Sequence, residues 1–181
     1  MTYETKQIIL KNGAEALLVQ PDPDRADEML DFVHDISSET EFITRTAGEV
    51  YETVEVERQK LESLVADENG MMLVCMVDNR IAGNCLLQFP KKIKMRHRAS
   101  LGIAIRQAYW NLGIGTALFE EMIRISRERG VRQMELEMID GNERGLALYT
   151  KMGFVITGRR PDAFLMSDGT YRDEILMTKM L

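Results

Sequence analysis

Residues 101–105 alternate large and small side chains, with Leu101, Ile103 and Ile105 separated by Gly102 and Ala104. That is the period-two pattern of a strand with one bulky face. The period changes after Gly113-Ile114-Gly115, where Ala117, Leu118, Met122 and Ile125 recur at helical spacing until Gly130 ends the run. Residues 101–130 therefore predict a strand, a glycine-bearing loop and a helix. Glu120 and Glu121 come early in that helix and Arg124, Arg127 and Arg129 late, which suits its dipole.

The rest of the chain is read the same way. Ile8-Ile9-Leu10 and 16–19 flank Asn12-Gly13 as a hairpin or bent edge strand, and Pro21 and Pro23 break the pattern. Residues 25–36 predict a helix with Met29, Leu30, Val33 and Ile36 inward and Asp24 as cap. A polar loop, 37–46, leads to a second, charged surface helix over 48–66. The continuous apolar run 71–77 predicts a strand covered on both faces, turning at Asp78-Asn79-Arg80 into an antiparallel partner over 81–89. Residues 90–98 (PKKIKMRHR) are a basic loop, read as a solvated tip.

Val131, Met134, Leu136 and Met138 oppose Glu135 and Glu137 in a further strand. Residues 143–152 form a short helix with Asn142 as cap and Gly153 as terminator. Strands over 154–157 and 171–180 enclose a long loop, 158–170. The helix before residue 131 crosses over between strands that should be parallel. The outcome is one α/β (α+β) domain with a mixed sheet, residues 1–181.

Composition narrows the classes. The chain is 45% apolar and 29% charged, like an ordinary globular protein. No apolar run reaches a membrane span and no signal-peptide pattern opens the chain, so a cytoplasmic protein is expected. The net charge of −6 argues against nucleic-acid binding and is compatible with a cationic substrate. Cys75 and Cys85 read as buried reduced thiols, and with His34 and His97 apart no zinc-ligand spacing occurs, so no metal is expected.

The glycine loop offers chemistry. The first N–H groups of a helix lack internal partners, and with the positive end of its dipole they suit a phosphate. Glycines at a strand–helix turn can equally be steric, and the next motif decides between the two. Residues 140–158 read DGNERGLALYTKMGFVITG, containing Asn142, Leu148-Tyr149 and Gly153-Phe154. With the G-x-G helix some thirty residues upstream, this resembles the GCN5-related N-acetyltransferase (GNAT) superfamily, in detail over 101–158. Within it, Leu136-Glu137-Met138 ahead of the N…LY motif is most similar to the ribosomal-protein alanine N-acetyltransferase type.

The resemblance implies a single GNAT-like domain, a mostly antiparallel sheet of about seven strands flanked by about four helices. It also implies acetyl-CoA as co-substrate, with the acetyl group passing directly from the thioester to a primary amine. Ile103, Ala104 and Ile105 would offer backbone groups to the pantetheine arm. Asn111, Leu112, Gly113, Ile114, Gly115 and Thr116 would wrap the diphosphate, and Asn142 would hydrogen-bond the coenzyme. Tyr149 would be the general acid at the sulfur and Glu137 the general base, with Glu135 a rival and a water chain an alternative. The sequence departs from the pattern at Trp110, usually Arg or Gln, at Leu112, often basic, at Gly145, usually Ala, and at Ser100, where many relatives carry Glu.

The amine is expected between loops 37–46 and 158–170, drawn by Glu39, Glu41, Asp162 and Asp168 and walled by Phe42 and Phe164. A small-molecule amine, amino acid, polyamine or protein N-terminus all fit that description. A non-catalytic acyl-CoA-binding or sensor module is the alternative. A dinucleotide oxidoreductase fits poorly, because the loop lacks a third glycine and no acidic residue is placed for a ribose. Strand edges near the C-terminus leave a homodimer open.

Overall fold

The computed structural model describes residues 3–181. Eight strands form one sheet: β1 (Lys6–Ile9), β2 (Glu15–Val19), β3 (Gly70–Val77), β4 (Arg80–Gln88), β5 (Arg98–Ile105), β6 (Gln133–Ile139), β7 (Val155–Leu165) and β8 (Tyr171–Met180). Their order across the sheet is β1-β2-β3-β4-β5-β6-β8-β7. Four helices cover it: α1 (Ala26–Glu39), α2 (Val54–Ala66), α3 (Ile114–Glu128) and α4 (Glu143–Lys151). Every neighbouring pair is antiparallel except β5 and β6, joined by α3 as the crossover. This is the expected α/β class, with eight strands where about seven were expected.

β3 explains why its sequence is apolar throughout. Leu73, Cys75 and Val77 enter the core beneath α3 and α4, whereas Val74 and Met76 enter the core beneath α1 and α2. Successive side chains on a strand point to opposite faces, so a doubly covered strand needs both sets apolar. Cys75 and Cys85 are buried and unbridged. Burial pushes both thiols up, Cys75 to about 12, so they remain protonated filling.

Three boundaries differ from the sequence reading. The helix expected over 48–66 starts only at Val54, where the Thr53 hydroxyl accepts from Val56 N–H. Ahead of it, Thr46 and Glu49 close a capping box on a separate short turn at Ala47–Glu49. Helix α1 runs three residues beyond Ile36, to Glu39, shortening the polar loop. The largest change is at 158–170, where β7 continues to Leu165 and only a tight turn at 166–170 remains. Gly158 and Pro161 look like loop residues, but β7 is an edge strand that bulges between Ile156 and Gly158 and between Arg160 and Phe164. Proline and bulges are tolerated at an edge.

The sheet opens in one place. β5 pairs with β6 only through Arg98↔Gln133, Ala99↔Met134 and Ser100↔Glu135. Beyond that point β5 stays on β4 as far as Gly83↔Ile105, and β6 stays on β8 as far as Ile139↔Glu174. Each strand follows its outer neighbour, so a gap opens in the middle of the sheet.

Candidate active site

Strand geometry decides which backbone groups face the gap. Arg106 N–H bonds Ala82 O of β4, and peptide direction alternates along a strand. The N–H and C=O of Ile103 and Ile105 therefore turn toward β6, which has moved away. Ala104, opposite Asn84, turns its backbone to β4. The Ile105 carbonyl is also taken, because Trp110 Nε1 donates to it at 2.7 Å.

At the same end of β5, the loop into α3 has a geometry its glycines require. Gly113 caps α3 with φ 100°, a left-handed conformation that side chains resist. Gly115 is small for a different reason. A Cβ there would stand 2.8 Å from Leu148 Cδ2 and 3.3 Å from Ile105 Cδ1, so its bareness lets α4 and β5 close on the start of α3. The β1–β2 turn props the loop, with Lys11 N–H donating to Leu112 O at 3.0 Å. Asn111 takes φ 64° and its Oδ1 accepts from Arg144 Nη1 at 3.1 Å, while Thr116 Oγ1 accepts from Lys151 Nζ at 3.0 Å. Ile114 is buried in the core and anchors the loop. The residues 111–116 are thus one cradle, with the first turn of α3 behind it and basic side chains of α4 beside it.

Helix α4 brings up the second motif. Asn142 Oδ1 accepts from Gly145 N–H at 2.9 Å, so its side-chain NH2 is the group left to bond a ligand. A Cβ on Gly145 would come within 3.0 Å of that amide, which accounts locally for glycine there. Tyr149 is buried and packs on Phe119, ring centroids 5.6 Å apart. Burial, with a smaller effect from Cys85, pushes its hydroxyl up to about 12. At neutral pH this phenol holds its proton and can donate it.

Across the sheet from Tyr149, a cavity of about 570 Å³ lies against the gap, with Phe42 and Phe164 as apolar walls. Glu135, Glu137 and Glu174 line it, together with Ser100 and Gln88. Burial first, and then the negative charge of Glu174, raises the Glu137 carboxyl above its ordinary value. Arg160 pulls it back in part, being ion-paired with Glu174. Glu135 is ion-paired with Arg98, which separates it from Glu137 as a proton acceptor. Glu174, six percent exposed, is the group that the sequence reading missed. Its alternation with Ile175 and Met177 marks a two-faced strand, but which face meets Glu137 depends on the β6–β8 register.

The four loop carboxylates serve other ends. Glu39 Oε2 accepts from Gln107 N–H at 2.6 Å, tying the end of α1 to the loop before α3. Glu41 pairs with Arg172 at 3.0 Å, Asp168 closes the turn at Thr170, and Asp162 sits on the β7 bulge with its N–H bonded to Asp173. The cavity's negative charge comes from strands β6 and β8 instead.

Comparison with known proteins identifies relatives of this architecture. The acetyltransferase (GNAT) family matches residues 30–154. The L-amino acid N-acetyltransferase AaaT of Escherichia coli is 27% identical over 118 residues, 64% of this chain and 72% of its own. A GNAT-family acetyltransferase from Streptococcus pneumoniae superposes with TM-score 0.85 at 29% identity, over 92% of this chain and 99% of that one. A phosphinothricin acetyltransferase from Sinorhizobium meliloti, solved in complex with acetyl-CoA, superposes with TM-score 0.78 at 16% identity, over 92% of this chain and 88% of that one. No helix among the described residues is long and apolar enough to cross a membrane.

Proposed function

The chain belongs to the acetyltransferase (GNAT) family, and we propose that it moves the acetyl group of acetyl-CoA to a primary amine by direct attack on the thioester. The observation that carries this reading is the parting of β5 and β6, with a protonated phenol on one face of the sheet and a raised carboxylate on the other. An open gap in a sheet lets a thin arm reach a reacting partner on the far face.

Acetyl-CoA supplies the activated acetyl thioester. The first-turn amides of α3 and the backbone of residues 111–116 hold its diphosphate. The Ile103 and Ile105 N–H groups bond its arm and carbonyl oxygen, which favours the state in which that oxygen gains charge. The NH2 of Asn142 adds a further contact. Glu137 takes the proton of the incoming amine, directly or through water, and Tyr149 Oη gives a proton to the departing sulfur.

The acceptor enters between Phe42 and Phe164. Arg98, Arg160 and Arg172 are each already paired with a carboxylate, whereas Glu137 has a carboxyl neighbour. This balance favours amines without an acid group over amino acids. The test is coenzyme-thiol release with acetyl-CoA and a panel of aliphatic amines, polyamines, amino acids and peptides. Turnover with any primary amine supports the reading, and turnover led by amino acids removes the ranking. Tight CoA binding without turnover on the whole panel would leave an acyl-CoA-binding module.

A further inference from the structure

Loop 111–116 contains no basic side chain, and position 110 before it holds a tryptophan. Charge reaches the loop from elsewhere. The Arg144 guanidinium lies 4.1 Å over the Trp110 ring and donates to Asn111 Oδ1 at 3.1 Å. Lys151, two turns further along α4, donates to Thr116 Oγ1. The Lys11 side chain borders Gly113, its Cγ lying 3.8 Å from where a Cβ would stand.

These cations differ from most arginines of the protein. Arg25, Arg45, Arg98, Arg124, Arg159 and Arg172 each meet a carboxylate. Among the described residues Arg144 has no carboxylate partner, although the chain carries a net charge of −6. Its two contacts are an aromatic face and a neutral amide oxygen, which fix its position without neutralising it. The tryptophan is held as firmly, since its own N–H is bonded to Ile105 O. The end of β5, the indole and the guanidinium thus form one stack that ends at the phosphate cradle.

We propose that Arg144, seated on Trp110, is the cation that α4 lends to the phosphate groups of the coenzyme, in place of a basic residue in the loop itself. The proposal rests on the coenzyme reading above and adds a specificity-determining residue to it. Arg144 acts on binding, so the effect falls on KM rather than on kcat.

Three acetyl donors test it: acetyl-CoA, acetyl-dephospho-CoA and acetyl-pantetheine, which carries neither the diphosphate nor the ribose phosphate. Arg144→Gln is expected to raise KM for acetyl-CoA about tenfold, the effect of losing one exposed charged hydrogen bond. Arg144→Lys should recover part of this, and kcat/KM with acetyl-pantetheine should not move. If the dephospho donor shows the same loss, the partner is the diphosphate; if it escapes, the partner is the ribose phosphate. Trp110→Leu should reproduce the acetyl-CoA effect, and adding it to Arg144→Gln should cost little more. An unchanged KM for acetyl-CoA in Arg144→Gln, an equal loss with acetyl-pantetheine, or additive single variants would overturn the proposal. A wild-type protein that binds no CoA would instead sink the coenzyme reading, so the two failures are distinct.

Discussion

Glu137 on β6 and Glu174 on β8 are diagonal neighbours on one face of the sheet, Glu174 standing opposite Ile139, and Arg160 on β7 is ion-paired with Glu174. A neighbouring negative charge makes a carboxyl harder to ionise. Burial and this neighbour together raise Glu137, and Arg160 keeps the rise from going further. A general base is more basic when raised in this way.

The pH profile should carry that relationship. For wild type, kcat/KM should fall in acid with a limb above the ordinary glutamate value of about 4.3. Glu174→Gln removes the neighbouring charge and leaves Arg160 facing Glu137, so the limb should move to lower pH. Glu137→Gln should lower the plateau about 10²-fold, the lower end for proton transfer by a side chain, and abolish the limb. A limb that stays in place in both variants would mean that neither carboxylate is the base.

Tyr149→Phe tests the proposed acid. The ring packs on Phe119, so the phenylalanine keeps the packing and the melting temperature should hold. Turnover should drop about 10²-fold or more if the hydroxyl protonates the sulfur. Tyr149→Ala, by contrast, should cost about 3–5 kcal/mol of stability through the lost ring. Full turnover in the phenylalanine variant would remove the acid role.

Gly113→Ala tests the cradle. At φ 100° a Cβ costs about 1–2 kcal/mol, although nothing but the Lys11 stem stands near it. Urea denaturation should report that loss, and calorimetry should report weaker CoA binding as the loop relaxes. Stability unchanged in urea would mean that the loop reaches another conformation without strain.

Glu121 predicts an acid-sensitive brace. It is three percent exposed on α3 and accepts from Lys6 Nζ at 2.6 Å, from the Tyr3 hydroxyl at 3.1 Å and from Arg124. Burial alone would raise its carboxyl, but these donors outweigh burial and hold it below the usual range. A lowered carboxyl stabilises the fold above its unfolded value, and the stabilisation is lost as pH falls through the folded value. Glu121→Gln should therefore cost about 1–3 kcal/mol at pH 7. The difference from wild type should vanish in acid, as followed by denaturation at a series of pH values.

Legibility followed sequence distance. Residues 101–115, the Asn142 cap and Gly153-Phe154 declare themselves because each answers a local demand: a strand's alternation, a left-handed cap, an orphaned N–H. The bulged continuation of β7 did not, because Gly158 and Pro161 carry loop signals that only an edge position overrides. The partners of two loop carboxylates were equally hidden. Glu39 and Glu41 look solvent-facing until Gln107 and Arg172 arrive from 68 and 131 residues away.

By itself the sequence determined the class of fold, the crossover between parallel strands and the turn that starts α3, since these rest on neighbours within a few residues. Tertiary structure alone decided that β5 leaves β6, that Glu174 stands against Glu137, and that Arg144 lies on Trp110. Such contacts join segments whose spacing along the chain carries no information about their meeting. They exist because each strand keeps the hydrogen bonds of its outer neighbour, and whatever side chains share a face at the opening are then brought together.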